Sequence, residues 1–284
     1  MGMTDDPTGG HQWKTLMDRL DPVELRTDVP HAARMYDYFL GGKDNFPADR
    51  EAAEQTIAVF PNSRIVVRQN RTFMTRATRH LTGELGIRQF LDIGTGIPTS
   101  PNLHEVAQEI APETRVVYTD NDPIVLAHAR ALLTSTPEGR TSYLHSDVRD
   151  IDHILGAQEL KETLALTRPV ALSLIAVFHF IPDSDDPYGI IRRLVDALPS
   201  GSYVALTHLT ADFDPAMLAV QETYLSRGVP MHLRDRAQVE RFFDGLELLE
   251  PGLQVVHRWR PDGAVPADLT DAAVSIYGGL AYKA

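Results

Sequence analysis

A short turn with two glycines carries the clearest chemical signal of the chain. Gly94 and Gly96 follow an apolar run that ends near Asp92, and Thr95 lies between them. Glycine lets a backbone adopt positive φ and approach a ligand closely, while a carboxylate at a strand end accepts hydrogen bonds from cationic or hydroxylated groups. Thr99 occupies the place of the third glycine of the dinucleotide fingerprint. The turn therefore indicates a nucleotide-type loop, with a plain tight turn as the alternative.

Two further carboxylates end the next two apolar runs. Asp120 lies about where a ribose diol would be held, and it can accept hydrogen bonds from both hydroxyls. Asp122 precedes Pro123 and is predicted to cap a helix instead of binding a ligand. Asp147 is placed to accept from an adenine amino group beside an apolar contact from Val148, and a helix cap is its alternative role.

Two histidines are the candidate catalytic bases. His179 and His208 lie near predicted strand ends on the ligand side, where either could take a proton from an oxygen or nitrogen acceptor. A structural role is the alternative for both. Asp183, Asp185 and Asp186 follow His179 closely. We predict a solvated loop with capping aspartates there, and no required metal, because hard cations need several converging oxygens.

These residues must be positioned by a sheet, since short apolar runs alternate with helical patterns after residue 88. The predicted strands are 89–93, 115–119, 141–145, 169–178, 202–208, 246–249 and 274–282. The predicted helices between them are 102–110, 123–133, 151–155, 187–198, 215–225 and 234–243. This alternation predicts an α/β fold with a Rossmann-like, doubly wound, mostly parallel sheet that ends in an antiparallel pair.

The N-terminal segment has a different pattern. Residues 1–27 indicate a loosely attached arm, and a helix over 31–40 is predicted to be capped by Asp28 and to stop at Gly41 and Gly42. Two more helices, opened by prolines, follow before residue 82. We therefore expect an N-terminal arm and helical lid region over 1–84 and a catalytic domain over 85–284.

Composition excludes several classes of function. The chain has 284 residues, a formal net charge of −12 and no cysteine. Disulfides, zinc–thiolate sites and thiol nucleophiles are therefore excluded. The negative charge would repel a phosphate backbone, so we predict no nucleic-acid partner. The arginine-rich run 64–79 is predicted to be a solvated helix face.

The chain shows no sign of export or of a membrane span. Its first twenty residues lack a positively charged leader followed by an apolar core. The longest strongly apolar stretch, 170–182, is too short to cross a bilayer as a helix. We expect a cytoplasmic protein with no membrane partner.

The order of strand ends, with an acidic glycine loop, a ribose acid and an adenine acid, resembles class I S-adenosylmethionine-dependent methyltransferases over roughly residues 85–210. The resemblance implies a seven-stranded sheet of the methyltransferase type, with residues 176–183 beneath the reactive methyl group. It implies that the glycine loop surrounds the amino-acid portion of S-adenosyl-L-methionine, Asp120 its ribose, and Asp147 with Val148 its adenine. Asn121 stands where an apolar residue often covers the adenine. The expected cofactor-binding residues are Asp92, Gly94, Thr95, Gly96, Asp120, Asn121, Asp147, Val148, Tyr36 and Gly42.

The run RMYDYFLGGKDNF, residues 34–46, is similar to a bacterial family long catalogued as domain of unknown function 574. A helix that ends in two glycines and continues into polar residues could fold over the cofactor mouth as a lid. In the alternative, Tyr36 and Phe39 simply pack this helix onto the sheet.

We therefore expect methyl transfer from S-adenosyl-L-methionine, with S-adenosyl-L-homocysteine as the product, to a small-molecule acceptor that the sequence does not identify. A non-catalytic sensor that binds the same cofactor is one alternative. An NAD(P)-dependent oxidoreductase is the other, and the incomplete glycine fingerprint counts against it. The sequence does not distinguish O-, N- and C-methylation and does not indicate an oligomeric state.

Overall fold

A computed structural model describes residues 25–132, 134–266 and 268–284. Almost all of the predicted arm, residues 1–27, lies outside the described residues. Among those described, no helix is both long and apolar enough to cross a membrane.

The centre of the molecule is one mixed sheet. Its strands are β1 (Gln89–Ile93), β2 (Arg115–Asp120), β3 (Arg140–His145), β4 (Ala171–Leu174), β5 (Tyr203–Leu209), β6 (Glu247–Leu248), β7 (Gln254–Val255) and β8 (Ile276–Tyr282). They are arranged in the order β3-β2-β1-β4-β5-β8-β6, and β7 also pairs with β8. The first five strands are parallel, and β8 is antiparallel to β5. The predicted doubly wound, mostly parallel sheet with an antiparallel end is confirmed.

Helices pack on the sheet, and three of the described ones precede its first strand in the chain. They are α1 (Ala32–Leu40), α2 (Pro47–Val59), α3 (Ser63–Arg79), α4 (Leu103–Ile110), α5 (Pro123–Leu132), α6 (Ile151–Gly156), α7 (Gln158–Thr163), α8 (Pro187–Asp196), α9 (Ala216–Ser226), α10 (Arg236–Glu240) and α11 (Asp271–Val274). Every residue of β1 and of β4 is buried. Strands buried on both faces are typical of a parallel sheet between helical layers.

The direction in which the strands are added reverses between β1 and β4. The chain proceeds outward from β1 through β2 to β3, then returns to the other side of β1 with β4 and β5. Ligands of open α/β sheets bind in the crevice at such a switch point, beyond the carboxyl ends of the strands. The sheet order therefore places the ends of β1, β2 and β4 around one crevice.

Strand β4 is shorter than the sequence predicts. It ends at Leu174, whereas the apolar run predicted a strand over 169–178. Ala176 adopts φ +59°, a left-handed conformation that a strand cannot contain. Its N–H donates to Thr207 Oγ1 at 2.8 Å, which fixes the turn against β5. The chain thus leaves the sheet early and passes over the crevice.

The N-terminal helices share the core of the sheet domain. Arg76 of α3 is buried and donates hydrogen bonds to the carbonyl oxygens of Trp259, at 3.0 Å, and Val256, at 2.5 Å. Phe73 packs edge-on against the indole of Trp259, with ring centroids 5.1 Å apart. The prediction of a solvated arginine face is therefore wrong for Arg76, because contacts 180 residues away in sequence bury it.

The run RMYDYFLGGKDNF folds around one buried carboxylate. Asp37 accepts hydrogen bonds from the Asp44 N–H at 2.9 Å and from Asn45 Nδ2 at 2.7 Å. A Cβ on Gly42 would lie 2.0 Å from Asp37 Oδ1, so only glycine fits there. His31, and not the predicted Asp28, is the residue that caps α1, with its ring accepting from the Ala33 N–H at 3.3 Å.

Candidate active site

A cavity of about 280 Å³ opens at the carboxyl ends of β1 to β4. Its walls combine strand ends, the glycine turn and the first helices. The sequence-predicted residues that line it are Asp92, Gly94, Thr95, Gly96, Asp120, Asn121, Asp147, Val148 and Tyr36. One cavity thus brings together all but one of the residues expected to bind the cofactor.

The glycine turn is held closely against the sheet. Gly94 has φ +73°, and its N–H donates to the Thr119 carbonyl oxygen at 2.7 Å. A Cβ at Gly94 would lie 2.2 Å from Cγ2 of Val177. Since the side chain of valine is stiff at χ1, glycine is required here for both conformation and space.

Two buried carboxylates face the cavity from neighbouring strands. Asp92 is 8% exposed, and burial raises its pKa to about 6. Asp120 is 5% exposed, and burial also raises its pKa. One oxygen of Asp120 accepts from the Gly96 N–H at 2.8 Å and the other from the Asp122 N–H at 2.9 Å. Asp120 therefore ties the glycine turn to the end of β2, and its remaining lone pairs can accept from a ligand.

The third predicted carboxylate lies at the rim. Asp147 accepts hydrogen bonds from Arg149 Nη2 at 2.7 Å and from Asn121 Nδ2 at 3.0 Å. Partial burial opposes its ionisation, but these bonds, led by Arg149, outweigh that effect and lower its pKa to about 2. Val148 is buried beside it. Asp147 thus fixes the side chains of Asn121 and Arg149 at the rim, and Val148 adds an apolar surface to the same part of the cavity.

Helix α1 and its N-terminal approach form one wall of the cavity, with Pro30, His31, Ala33 and Tyr36. Asp122 forms an ion pair with Arg34 of this helix, since its Oδ2 lies 3.2 Å from Arg34 Nε. Its other oxygen accepts from the Ile124 N–H at 2.9 Å, in agreement with the predicted capping role.

Sequence reasoning missed Arg71 of α3, which also lines the cavity. Its guanidinium donates to the Pro101 carbonyl oxygen at 2.7 Å and to that of Thr99, and so holds the loop between β1 and α4. Its charge also opposes the rise in the pKa of Asp92. The arginine-rich run shows only that several arginines lie on one helix face. That spacing does not distinguish Arg71 from the other arginines.

His179 lines a second, smaller cavity of about 50 Å³ that adjoins the first. Tyr36, Asn70, Ala176 and Phe180 line both. We call this second space the apolar chamber; its other walls are mainly aliphatic and aromatic side chains from α1, α2, α3 and α9. His179 is 2% exposed, and burial, with His208 and Arg234 nearby, lowers its pKa well below the usual range. It is therefore neutral at physiological pH.

Two predicted site residues do not reach either cavity. His208 is fully buried; its Nδ1 lies 2.7 Å from the Leu209 carbonyl oxygen and its Nε2 lies 2.9 Å from Arg234 Nη1. Arginine can only donate, so Nε2 is the acceptor and has no free lone pair for a substrate. Gly42 packs against Asp37 instead. We therefore leave both His208 and Gly42 out of the proposed site.

The aspartates after β4 make structural contacts. Asp183 pairs with Arg234 Nη2 at 2.5 Å, Asp185 with Arg149 Nη1 at 2.9 Å, and Asp186 caps α8 by accepting from the Gly189 N–H at 3.0 Å. Among residues 25–132, 134–266 and 268–284, no three histidine, aspartate or glutamate side chains are grouped closely enough to hold a metal ion.

The geometry fits S-adenosyl-L-methionine. Two buried carboxylates at successive strand ends can pair with its ammonium and ribose hydroxyls, and the glycine turn leaves room for close backbone approach. Such an arrangement on a doubly wound sheet with an antiparallel end defines a class I S-adenosylmethionine-dependent methyltransferase. The chain belongs to the S-adenosyl methyltransferase family, whose model matches residues 18–284.

Solved structures agree with this assignment. A domain-of-unknown-function 574 family protein from Streptomyces avermitilis MA-4680 is 53% identical, with a TM-score of 0.90 over 92% of this chain and 100% of that chain. A protein from Thermobifida fusca YX, named as a candidate methyltransferase, is 37% identical, with a TM-score of 0.83 over 93% of this chain and 99% of that chain. The predicted resemblance and cofactor are confirmed.

More distant structures share the fold alone. An O-methyltransferase family protein from Burkholderia thailandensis is 14% identical, with a TM-score of 0.52 over 96% of this chain and 70% of that chain. No curated protein sequence matches the chain.

Proposed function

We propose that this protein transfers the methyl group of S-adenosyl-L-methionine to a small molecule, which enters through the junction of the two cavities. The observation that supports this most directly is that the cavity lined by Asp92 and Asp120 shares the walls Tyr36, Ala176 and Phe180 with the chamber lined by His179. A donor site and a space for an acceptor are thus adjacent at the end of β4.

Different residues of this chain would bind different parts of the cofactor. Asp92 would pair with the ammonium group of the cofactor, Asp120 would accept from the ribose hydroxyls, and Arg71 offers a cation for the carboxylate. Asp147, Asn121 and Val148 would surround the adenine. When bound, the cofactor supplies an electrophilic methyl group, and no metal is needed for its transfer.

His179 is the proposed base. Its buried ring is neutral, so it can accept a hydrogen bond from an acceptor and orient the acceptor lone pair. Direct displacement requires alignment and exclusion of water, and the buried walls of the chamber supply both. As the new bond forms, the acceptor proton becomes far more acidic, which makes transfer to His179 favourable.

We also propose that residues 1–84 act as a lid region on a catalytic domain of residues 85–284. Pro30, His31 and Tyr36 of the N-terminal segment form one wall of the cavity, which supports this division. A cytoplasmic location and the absence of nucleic-acid partners belong to the same proposal, and the net charge of −12 supports the second of these.

Calorimetric titration with S-adenosyl-L-methionine and, separately, NAD tests the proposal. Wild-type protein is expected to bind only the former, and Asp120→Ala to weaken it about thirtyfold, because a buried charged acceptor is worth ~2 kcal/mol. Asp152→Ala is the matched control, since its side chain is 88% exposed and does not line the cavity. Binding of NAD in place of S-adenosyl-L-methionine would overturn the cofactor assignment.

Turnover separates an enzyme from a sensor. Conversion to S-adenosyl-L-homocysteine with a panel of hydroxyl and amine acceptors is expected for wild type. His179→Gln should bind the cofactor normally and convert it at least tenfold more slowly. Equal turnover by this variant would remove His179 from the mechanism, and no turnover with any acceptor would favour a sensor.

A further inference from the structure

The apolar chamber has the properties of an acceptor subsite. Its walls include Phe39, Phe60, Val66, Val220 and Tyr224, all largely buried. Its volume, about 50 Å³, is several times the roughly 10–15 Å³ that one water molecule needs. An apolar space of this size at the edge of a cofactor cavity accommodates a small group or the reactive end of a larger molecule.

Two fully buried polar atoms among these apolar walls have no hydrogen-bond partner among the described residues. They are Oδ1 of Asn70 and Nδ1 of His179, in side chains that are 1% and 2% exposed. Both side chains line the chamber. A buried polar atom without a partner carries a free-energy penalty, which a ligand that supplies the missing hydrogen bond removes.

The hydrogen bonds of Tyr36 determine which atom of Asn70 is free. The single hydroxyl hydrogen of Tyr36 is donated to the Val67 carbonyl oxygen at 3.0 Å. The same hydroxyl lies 3.0 Å from Asn70 and must therefore act as the acceptor there, so the amide NH₂ points toward it. The carbonyl oxygen of Asn70 is consequently left as a hydrogen-bond acceptor. A ligand that donates a hydrogen bond would therefore satisfy it.

The absence of charged side chains in the described chamber walls restricts the class of ligand further. Among the described residues that line the chamber, none is an acid, a lysine or an arginine. An ionised ligand would lose its hydration there without gaining an opposite charge. The lining therefore favours an uncharged molecule.

From these contacts we infer that the methyl acceptor is an uncharged, mainly apolar small molecule whose hydroxyl or N–H group enters the chamber, where either Asn70 Oδ1 or His179 accepts its hydrogen. This inference rests on the proposed methyl transfer and adds the class of acceptor. In the reaction, the acceptor heteroatom uses a lone pair to form the bond to the methyl carbon. The carbon–sulfur bond breaks with its electrons going to sulfur, and the acceptor proton passes to the unprotonated ring nitrogen of His179.

At the junction of the two cavities, one residue has an unusual backbone conformation. Ala176, which lines both, holds φ +59° although it is not glycine. Such conformations persist where the surrounding structure enforces them and are concentrated at functional sites. The turn at Ala176 moves the following residues out of the sheet, so that His179 and Phe180 line the chamber beside the cofactor cavity.

Calorimetry on protein saturated with S-adenosyl-L-homocysteine tests the inference, with phenol as the probe. Phenol is expected to bind saturably, and benzoate at least tenfold more weakly because of its charge. Val220→Phe should fill the chamber, weaken phenol at least tenfold and leave S-adenosyl-L-homocysteine binding unchanged. Leu218→Phe is the matched control on the same helix, since Leu218 is 50% exposed, and it should bind phenol like wild type.

A second variant tests the hydrogen bond itself. Wild type should bind phenol more tightly than toluene, and Asn70→Leu should reverse this preference. No saturable phenol binding while S-adenosyl-L-homocysteine is bound, benzoate binding as tight as phenol, or equal phenol affinity in wild type and Val220→Phe would overturn the inference alone. Failure of wild type to bind S-adenosyl-L-homocysteine would instead overturn the proposed function on which it rests.

Discussion

The carboxyl group of Asp92 should make cofactor affinity depend on pH. Burial raises its pKa to about 6, and the carboxylate form is the one that would pair with the ammonium of the cofactor. Affinity for S-adenosyl-L-methionine should therefore fall about tenfold between pH 7 and pH 5, as Asp92 becomes protonated in the free protein. Calorimetric titrations at the two pH values measure this change.

Asp92→Asn is the control for that prediction. The amide resembles the protonated acid in shape but cannot ionise, so the variant should bind weakly at both pH values and show a flat profile. If Asp92→Asn keeps the tenfold change, another group titrates and the pairing with Asp92 is wrong.

Gly94 offers a second prediction at the level of one residue. Alanine there would meet two obstacles, a left-handed φ of +73° and the methyl group of Val177 at 2.2 Å. Gly86 shares the first obstacle, with φ +69°, but has open space around its Cβ position. Gly86→Ala should cost ~1–2 kcal/mol in the free energy of unfolding. Gly94→Ala should cost more and also abolish cofactor binding; equal costs in urea unfolding would show that the close contact is unimportant.

At the level of elements, Arg71 joins helix α3 to the loop after β1. Its contacts with Thr99 and Pro101 hold that loop, and its charge faces the cavity. Arg71→Met should weaken S-adenosyl-L-methionine about tenfold or more, since charge-assisted hydrogen bonds are worth ~1.5–3 kcal/mol. Arg68→Met, an exposed position on the same helix, should bind like wild type. Equal affinities for the two variants would limit Arg71 to a role in folding.

The elements differ in how far the sequence predicts them. Strand β1 has the predicted bounds of 89–93, because its apolar run is bounded on both sides by polar or turn residues. The run 169–178 predicts too long a strand, since nothing in a single sequence shows that Ala176 turns left-handed. The short elements α7, β7 and α11 were also missed. They are too brief to show a period, and tertiary contacts stabilise them.

The residues of the candidate site also differ in how far the sequence predicts them. Asp92, Asp120 and Asp147 were predictable because each follows an apolar run at a strand end. Arg71 and Asn70 were not, because they come from a helix that reaches the cavity only after packing. His208 was predicted from its place in β5, but Arg234, 26 residues later, occupies its free nitrogen.

For the whole molecule, buried neutral histidines make stability depend on pH. Burial lowers the pKa of His208 to about 3, against about 6.5 in an unfolded chain. Because the folded pKa is depressed, the unfolded state binds the proton first as pH falls below about 6.5. This histidine alone should therefore reduce the free energy of unfolding by about 2 kcal/mol between pH 7 and pH 5. His179 acts in the same direction and Asp92 in the opposite one.

Comparing each protein with itself at the two pH values isolates most of the contribution of His208, because Asp92 is unchanged in the variant and burial, the largest cause of the low pKa of His179, is retained. His208→Gln keeps an acceptor for Arg234, while Asp183 still pairs with that arginine. Urea unfolding should show a loss of stability between pH 7 and pH 5 that is smaller by about 2 kcal/mol in His208→Gln than in wild type. The exposed His153→Gln should follow wild type. An identical loss in His208→Gln would mean that His208 is protonated in the folded protein, and that its bond with Arg234 does not hold it neutral.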